Sequence, residues 1–347
     1  MREPVSLQDV MITIKEIAAK LGLSTTTVSN VINGKTGEVS PDTIAKVQNF
    51  LDEVGYVPNF TARNLARNSS HIIGLVLKTQ NYKFENILSD PFVSEMVGGI
   101  EEAVRSAGYM LMIYISDDIA EILNKVSAWN ADGLILFCML DDDGIRVSEK
   151  YKKPVVCIDT YSGEKMNYVN IGLEDEQGGY EAARYLISQG HRRIAFLSDN
   201  RVGVDLMRFR GYRRALSEAG IEYSDRNFFL LNPEKAAVAA SLRRLCKKAA
   251  DYTAIFCTSD LYAALFTGVL IDHGIRVPDD ISIVGFDDNK CSRMIRPALT
   301  TIHQDAPYKG RLAAETLIGL IEGKASDPQN IVLKPYLVVR DSVRKIN

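Results

Sequence analysis

The sequence predicts an α/β protein in which a short all-helical segment precedes two lobes of parallel sheet flanked by helices. Between Ile14 and Val57 apolar residues recur at helical spacing, with no strand-like run. From Ile72 onward, β-branched runs alternate with amphipathic segments of helix length, as in sheets covered by helices on both faces. This second region extends to residue 347 and is too long for a single core, so we expect two lobes.

The composition bounds the class of protein. Of the 347 residues, 46% are hydrophobic and 24% charged, which is ordinary for a globular chain. No apolar run is long enough for a membrane helix, and the N-terminus lacks the apolar core of a signal peptide. Five cysteines without a CxxC pair fit a reducing compartment. We therefore expect a cytoplasmic protein without membrane contact, cofactor or metal.

Charge alone gives no indication of nucleic-acid binding. The net charge is −3, and the first 70 residues hold seven Lys or Arg against seven Asp or Glu. A case for DNA binding must therefore rest on a motif.

Residues 13–32 have the spacing of a helix-turn-helix. Ala18 is small enough for two helices to cross closely, and Gly22 can adopt the positive φ of a tight turn. Ser24 is a suitable N-cap for the second helix. In this motif the start of the second helix reaches base edges in the major groove, and its outward residues are Thr25, Thr26, Ser29 and Asn30. A three-helix cap without a ligand remains the alternative.

Eight runs are the predicted strands of the larger region: IIGLVL, YMLMIYI, DGLILF, PVVCID, YVNI, RIAFL, TAIFC and ISIVGF. The predicted helices are Val93–Ala107, Ile119–Trp129, Gln177–Ser188, Met207–Ala219, Ala236–Lys248 and Tyr262–His273. A doubly wound lobe binds its ligand at the carboxyl ends of its strands. Two such lobes facing each other would form a cleft.

The motifs, taken together, resemble the LacI/GalR repressors. TIKEIAAKLGLSTTTVSNVING and VSPDTIAKVQNFLDEVGYVPNFTARNLARN resemble the headpiece and hinge of that family. DPFVSEMVGGIEEAVRSAGY, GHRRIAFL, FRGYRRALSEAGI, GIRVPDDISIVGFDD, PALTTIHQ and LVVRDS continue the likeness in order to residue 342. The resemblance implies a helix-turn-helix headpiece on a periplasmic-binding-protein-like core. It also implies a homodimeric repressor that reads palindromic operator DNA under the control of a small-molecule effector, with no enzymatic activity.

The predicted domains follow from these motifs. Residues 1–12 are expected to be a disordered extension, 13–58 the headpiece and 59–71 a hinge helix or linker. The N-terminal lobe is predicted to comprise 72–171 and 304–333, and the C-terminal lobe 172–303 and 334–347. The chain ends without the leucine-heptad tail of tetrameric relatives, which favours a dimer.

The resemblance assigns DNA-binding roles in the headpiece and hinge. Thr25, Thr26 and Asn30 fall on base-reading positions, and Thr27, Ser29 and Asn33 on positions that steady the DNA backbone. Position 30 is usually Arg in this family, and Asn favours adenine where Arg favours guanine. In the hinge, Leu65 matches a leucine that enters the minor groove and bends the duplex, with Ala62 and Arg63 beside it.

The same resemblance implies an effector site formed by Phe92, Val93, Asp159, Arg208, Ser259, Asp260, Asp287 and Gln304. Carboxylates and Arg suit the vicinal hydroxyls of a sugar or sugar derivative, and an aromatic face suits its ring. Alternatively, Asp260 could cap a helix, Asp287 could be a turn residue and Arg208 could pair on the surface. Leu173 and Ser259 stand where many relatives carry Asp and Asn, which would suit a less hydroxylated or bulkier ligand.

Other functions remain open at the level of sequence. The effector could be a nucleobase, a nucleoside or a protein partner. A solute-binding protein that does not bind DNA shares the two-lobe core, but it would lack the headpiece. The enzyme motifs GxSxG, GxxxxGK[ST], GxGxxG and HExxH do not occur.

Overall fold

The computed structural model describes residues 12–56, 69–79, 86–140, 142–161, 168–324 and 330–346. The chain forms two compact units, Met1–Ser69 and Ser70–Asn347, and the division falls inside the predicted hinge 59–71. Of the predicted extension only the last residue is described, and the hinge residues Ala62, Arg63 and Leu65 lie outside the described ranges. None of the helices within these ranges has the length and apolar character needed to cross a membrane.

The first unit is a three-helix bundle. Its helices are α1 (Ile14–Leu21), α2 (Thr25–Ile32) and α3 (Pro41–Glu53). Helix α1 begins with a capping box, since Thr13 Oγ1 accepts from the Glu16 backbone amide and the Glu16 carboxylate accepts from the Thr13 amide. It ends at Gly22, whose φ of 67° is left-handed.

The N-cap of α2 is Ser24, whose Oγ accepts from the Thr27 amide at 3.0 Å. Helix α3 is capped in the same way by Ser40. The core of the bundle consists of Ile17, Ala18, Val28, Val31 and Val47. The turn and the N-cap that the spacing predicts are therefore present.

The second unit contains two six-stranded sheets. The first sheet has the order β11-β5-β4-β3-β1-β2 and is parallel throughout. Its strands are β1 (Ile72–Lys78), β2 (Met110–Ser116), β3 (Gly133–Phe137), β4 (Val155–Ile158), β5 (Val169–Leu173) and β11 (Ile331–Leu333). Helices α4 (Pro91–Ser106) and α12 (Ala306–Ile321) cover one face, and α5 (Ile119–Trp129) and α6 (Asp143–Tyr151) the other.

The second sheet has the order β12-β10-β9-β8-β6-β7 and is parallel except for the β10–β12 pair. Its strands are β6 (Ile194–Ser198), β7 (Phe228–Leu230), β8 (Ala254–Cys257), β9 (Ser282–Asp287), β10 (Thr300–His303) and β12 (Tyr336–Val338). One face packs on α7 (Asp175–Ser188) and α8 (Gly203–Glu218), and the other on α9 (Lys235–Ala249) and α10 (Asp260–Asp272). A short helix, α11 (Lys290–Met294), follows β9.

We call the first sheet with its helices the first lobe, and the second sheet with its helices the second lobe. The chain passes between them after β5, after β10 and after β11. The central strands are buried along their whole length, as in β3 and β9, because helices cover both faces. The predicted α/β fold class is confirmed.

Glycines allow α7 and α8 to pack backbone against backbone. A Cβ at Gly179 would lie 2.1 Å from the Arg208 carbonyl oxygen, and one at Gly211 would lie 1.9 Å from the Glu176 carbonyl oxygen. Real Cβ atoms do not approach so closely, so glycine is required at both positions. This close contact also fixes the position of Arg208, on α8, relative to α7.

Candidate functional site

A cavity of about 160 Å³ lies between the lobes of the second unit. An apolar protein cavity of roughly 150 Å³ holds benzene, so this one is large enough for a small molecule. Residues at or just beyond the carboxyl ends of seven parallel strands line it: Lys78, Cys138, Asp159, Asn200, Ser259, Asp287 and Gln304. This is the edge at which open α/β sheets bind their ligands.

Most of the predicted effector residues meet in this cavity. Those that line it are Phe92, Val93, Asp159, Arg208, Ser259, Asp287 and Gln304. Phe92 and Val93 belong to the first turn of α4, and Arg208 to α8. Both lobes therefore contribute charged and apolar groups to one space.

Asp260 does not line the cavity, so its assignment to the effector site is corrected. Its buried carboxylate accepts from the Thr301 hydroxyl at 2.6 Å and from the backbone N–H of Asn289 at 3.0 Å. As the first residue of α10 it turns into the second lobe, and burial raises its pKa. Asp260 does not cap the helix either, because Ser259 Oγ accepts from the Tyr262 amide.

Arg208 is 5% exposed, which excludes the surface pairing considered from the sequence. Its Nε donates to Asp175 Oδ1 at 2.8 Å and its Nη1 to the Thr258 carbonyl at 2.6 Å. The guanidinium lies 3.6 Å from the Phe286 ring centroid, and Nη1 is 3.9 Å from Asp287 Oδ1. These contacts on several sides hold the planar guanidinium of Arg208 in one orientation at the cavity wall.

Two carboxylates occupy strained backbone positions. Asp159 follows β4 with a φ of 53°, and Asp287 ends β9 with a φ of 113°. Residues other than glycine seldom adopt such angles, and those that do cluster at functional sites. The unusual backbone directs one carboxylate from each lobe into the cavity.

Burial changes the acidity of both groups. It raises the pKa of Asp287 from 3.8 to about 7, against the opposing effect of Arg208. It also raises the pKa of Asp159, although the nearby Lys309 ammonium favours the charged form. The Asp287 carboxyl therefore changes protonation near neutral pH.

The sequence did not indicate Asn200, Asp205 and Tyr262, which also line the cavity. The Asn200 amide donates to Asp205 Oδ2 and to Asp199 Oδ1, each at 2.6 Å. The Tyr262 hydroxyl donates to Asp199 Oδ2 at 2.7 Å. Asn200 comes two residues after the end of β6, so the strand-end argument applied to this strand would have pointed to it.

Two further residues lie behind the wall and were also missed. Lys309 on α12 donates to both oxygens of Asp159 at 2.9 Å and to Gln304 Oε1 at 2.8 Å. Tyr161 donates to the Leu173 carbonyl at 3.0 Å and to Asp175, at the point where the chain leaves the first lobe. No sequence pattern marks either residue, because each pairs with a residue distant in the chain.

In the first unit, α2 carries five of the predicted DNA-binding residues, and Asn33 is its C-cap. Thr25 and Thr26 are exposed on its first turn, and Ser29 and Asn30 are half-buried one turn later. A helix N-terminus with exposed hydroxyls suits contact with bases and phosphates.

Thr27 and Asn33 make contacts within the bundle. The Thr27 hydroxyl pairs with Ser24 Oγ at 2.8 Å. The Asn33 amide donates to the Ser29 carbonyl at 2.7 Å and to its hydroxyl at 3.1 Å. Both residues therefore stabilise the ends of α2, and a role of Thr27, Ser29 and Asn33 in contacting the DNA backbone stays a prediction.

Comparison with known families identifies both units. The family described as bacterial regulatory proteins, lacI family, matches residues 13–59. A periplasmic binding protein-like domain matches residues 183–343. These ranges contain the three-helix bundle and most of the second lobe.

Relatives are similar along nearly the whole chain. The HTH-type transcriptional repressor PurR of Photobacterium profundum is 34% identical over 97% of this chain and 100% of its own. The HTH-type transcriptional regulator CelR of Thermobifida fusca is 32% identical over 95% of this chain and 98% of its own.

Solved structures are also similar to nearly the whole chain. The lac repressor dimer bound to operator and the anti-inducer ONPF has a TM-score of 0.83 at 26% identity, covering 96% of this chain and 99% of that one. A complex of the transcriptional regulator CelR with cellobiose has a TM-score of 0.69 at 28% identity, covering 95% and 99%. The resemblance inferred from the sequence is thus confirmed, and the chain belongs to the LacI family of DNA-binding transcriptional regulators.

Proposed function

We propose that this regulator is a homodimeric repressor whose paired headpieces read a palindromic operator, and whose operator affinity is set by a sugar or sugar derivative bound between the lobes. One observation carries the proposal. Charged side chains from both lobes, Asp159 from the first and Arg208 and Asp287 from the second, line a single cavity beside Phe92.

The chemistry of this cavity suits a hydroxylated ring. Carboxylates accept from vicinal hydroxyls, and the Arg208 fork donates to them in charge-assisted hydrogen bonds. Phe92, at the first turn of α4, offers an apolar surface for the ring face. The structure of CelR with cellobiose supports a sugar for a relative of this chain.

The proposed mechanism couples the lobes to the headpieces. An effector that contacts both lobes favours one relative orientation of them, and it does so only by binding the two orientations with different affinity. The hinge at 59–71 would transmit that change to paired headpieces. The lac repressor dimer on its operator supports two copies acting together. We also propose that the cavity binds its ligand without turnover, and that the protein acts in the cytoplasm.

The test is a measurement of operator affinity by fluorescence anisotropy with the full-length chain. Separate panels of neutral sugars, including cellobiose, and of nucleobases and nucleosides are added at fixed salt. We expect a sugar to change operator affinity by about 5–150-fold, the usual range of such coupling. A response to nucleosides alone would refute the sugar assignment, and a response to neither panel would refute the effector site.

Two arginine variants control this test. Arg208→Lys keeps the charge but loses the fork geometry, so the effector response is expected to fall. Arg105→Lys alters an exposed arginine of α4 paired with Glu101 and should leave the response intact. Equal responses from the two variants would remove Arg208 from the site.

The hinge assignment has its own test. Leu65→Ala should weaken binding to the operator far more than binding to unrelated duplex DNA, because only the specific complex is proposed to hold this side chain in the minor groove. Equal losses on both duplexes would contradict the assignment.

A further inference from the structure

Lys309 is an unusual residue for the position that it occupies. It lies on the first turn of α12, beside the passage of the chain from the second lobe to the first. Its side chain is 0% exposed. A lysine is almost never fully buried unless it is paired, so its partners explain its presence.

The ammonium is saturated by three acceptors. It donates to Asp159 Oδ1 and Oδ2, both at 2.9 Å, and to Gln304 Oε1 at 2.8 Å. An ammonium has three donors and no acceptor, so no N–H of Lys309 remains for a ligand. Lys309 therefore acts on the cavity through Asp159 and Gln304, which line it.

The contact with Gln304 sets the direction of its amide. Because Lys309 only donates, the amide oxygen must face it, and the amide nitrogen must then point the other way. That nitrogen donates to Asp287 Oδ1 at 2.7 Å. The Lys309 ammonium on the first lobe therefore determines the direction of the hydrogen bond from Gln304 to Asp287 on the second lobe.

We propose that Lys309 is the positioning residue of the effector site: it fixes the Asp159 carboxylate of the first lobe directly and the Asp287 carboxylate of the second lobe through the Gln304 amide. The inference rests on the proposed function in that it takes this cavity as the effector site. A ligand that bonds both carboxylates would meet a pair already held in place, which lowers the cost of ordering them.

Several charged groups surround the two carboxylates. Asp159 is influenced by Lys309, Asp175 and Arg208, and Asp287 by Arg208, Asp90 and Lys309. Lys309 favours the ionised form of both, so its removal has a signature in titration. This signature requires neither DNA nor effector, so its failure is distinct from failure of the proposed function.

The experiment is a pH titration of the full-length protein carrying ¹³C-labelled aspartate carboxyls, followed by NMR. Asp159→Asn and Asp287→Asn assign the two signals. Lys309→Met is expected to raise the pKa of both carboxyls. The control Lys153→Met removes a half-buried lysine that lies outside the cavity and contacts Asn130 and Ala131, and it should leave both values unchanged.

A second pair of variants separates the effect that Lys309 exerts on Asp287 through the Gln304 amide from the direct effect of its charge. Gln304→Leu should raise the pKa of Asp287 alone, because only Asp287 loses a donor. In the Gln304→Leu background, Lys309→Met should shift Asp287 less than it does when Gln304 is present. Two results would overturn the role of the Gln304 amide. One is that Lys309→Met changes the Asp287 pKa by the same amount with and without Gln304, and the other is that it does not change this pKa when Gln304 is present.

Lys309→Met alone leaves the buried Asp159 carboxylate without its cation, so this variant risks failing to fold. Asp159→Asn with Lys309→Met removes both charges together, which buried pairs tolerate far better than the loss of one partner. In that double variant the pKa of Asp287 should still lie above its value in Asp159→Asn alone. Equal values would overturn the proposal.

Discussion

Replacing Asp287 with Asn should change how the stability of the protein depends on pH. The pKa of Asp287 is about 7 in the folded chain, against an ordinary value of 3.8. Between these values the folded state keeps a proton that the unfolded state has lost, so stability falls as pH rises toward 7 and levels off above it. The slope is about 1.4 kcal/mol per pH unit. From pH 5 to pH 8 the wild type should therefore lose about 3 kcal/mol relative to Asp287→Asn.

The assay is urea unfolding followed by far-ultraviolet circular dichroism, at several pH values between 5 and 8. The quantity compared is the difference in unfolding free energy between wild type and variant, which cancels the titrating groups that do not interact with Asp287. Asp280→Asn is the control, because hydrogen bonds from Arg276 hold the pKa of Asp280 at about 2. The difference in unfolding free energy between wild type and Asp280→Asn should therefore not change between pH 5 and pH 8. Parallel curves for wild type and Asp287→Asn would refute the argument that burial controls this carboxyl.

Three other variants test separate parts of the structure. Arg208→Met should reduce the unfolding free energy by about 3–5 kcal/mol, because the buried Asp175 loses its cation; denaturant unfolding measures this, and an unchanged midpoint would contradict it. Gly211→Ala should reduce the unfolding free energy by about 1–3 kcal/mol, because its methyl group clashes with the neighbouring helix. Gly268→Ala, in open space on α10, should raise it by about 0.5–1 kcal/mol. Thermal melts that rank the two variants in the opposite order would refute the close packing of α7 and α8. Asn30→Ala should remove about 1–3 kcal/mol of discrimination at one base pair of the half-site, and an unaltered base preference in competition binding would exclude it from base reading.

Much of the fold was predictable because local patterns carry it. The β-branched runs became the central strands, since a strand buried on both faces must be apolar throughout. Ser24 and Gly22 marked the turn of the headpiece because caps and left-handed turns favour those residue types. The strands β7, β10, β11 and β12 were not predicted. Three residues in each of β7, β11 and β12 are too few to show a period, and β10 begins with two threonines instead of an apolar run.

The candidate site was only partly predictable. Asp159 and Asp287 were assigned through the family resemblance, and the topology explains why they meet, because the carboxyl ends of strands from both lobes border the cavity. Ser259 and Asp260 are adjacent in sequence, yet only the first faces the cavity, and that choice depends on side-chain packing. Lys309 was missed because a lysine on a helix normally indicates a solvent-exposed face, and its partner Asp159 lies far away in sequence.

The central claim, that paired headpieces read a specific operator, is tested most directly by selecting bound sequences from random duplex DNA. The full-length protein is used at one fixed salt concentration, with and without a pool of sugars and nucleosides, beside the Asn30→Ala variant. We predict enrichment of an inverted repeat with a flexible pyrimidine–purine step at its centre, and a changed half-site for the variant. Failure of the wild type to enrich any sequence under either condition would contradict the account.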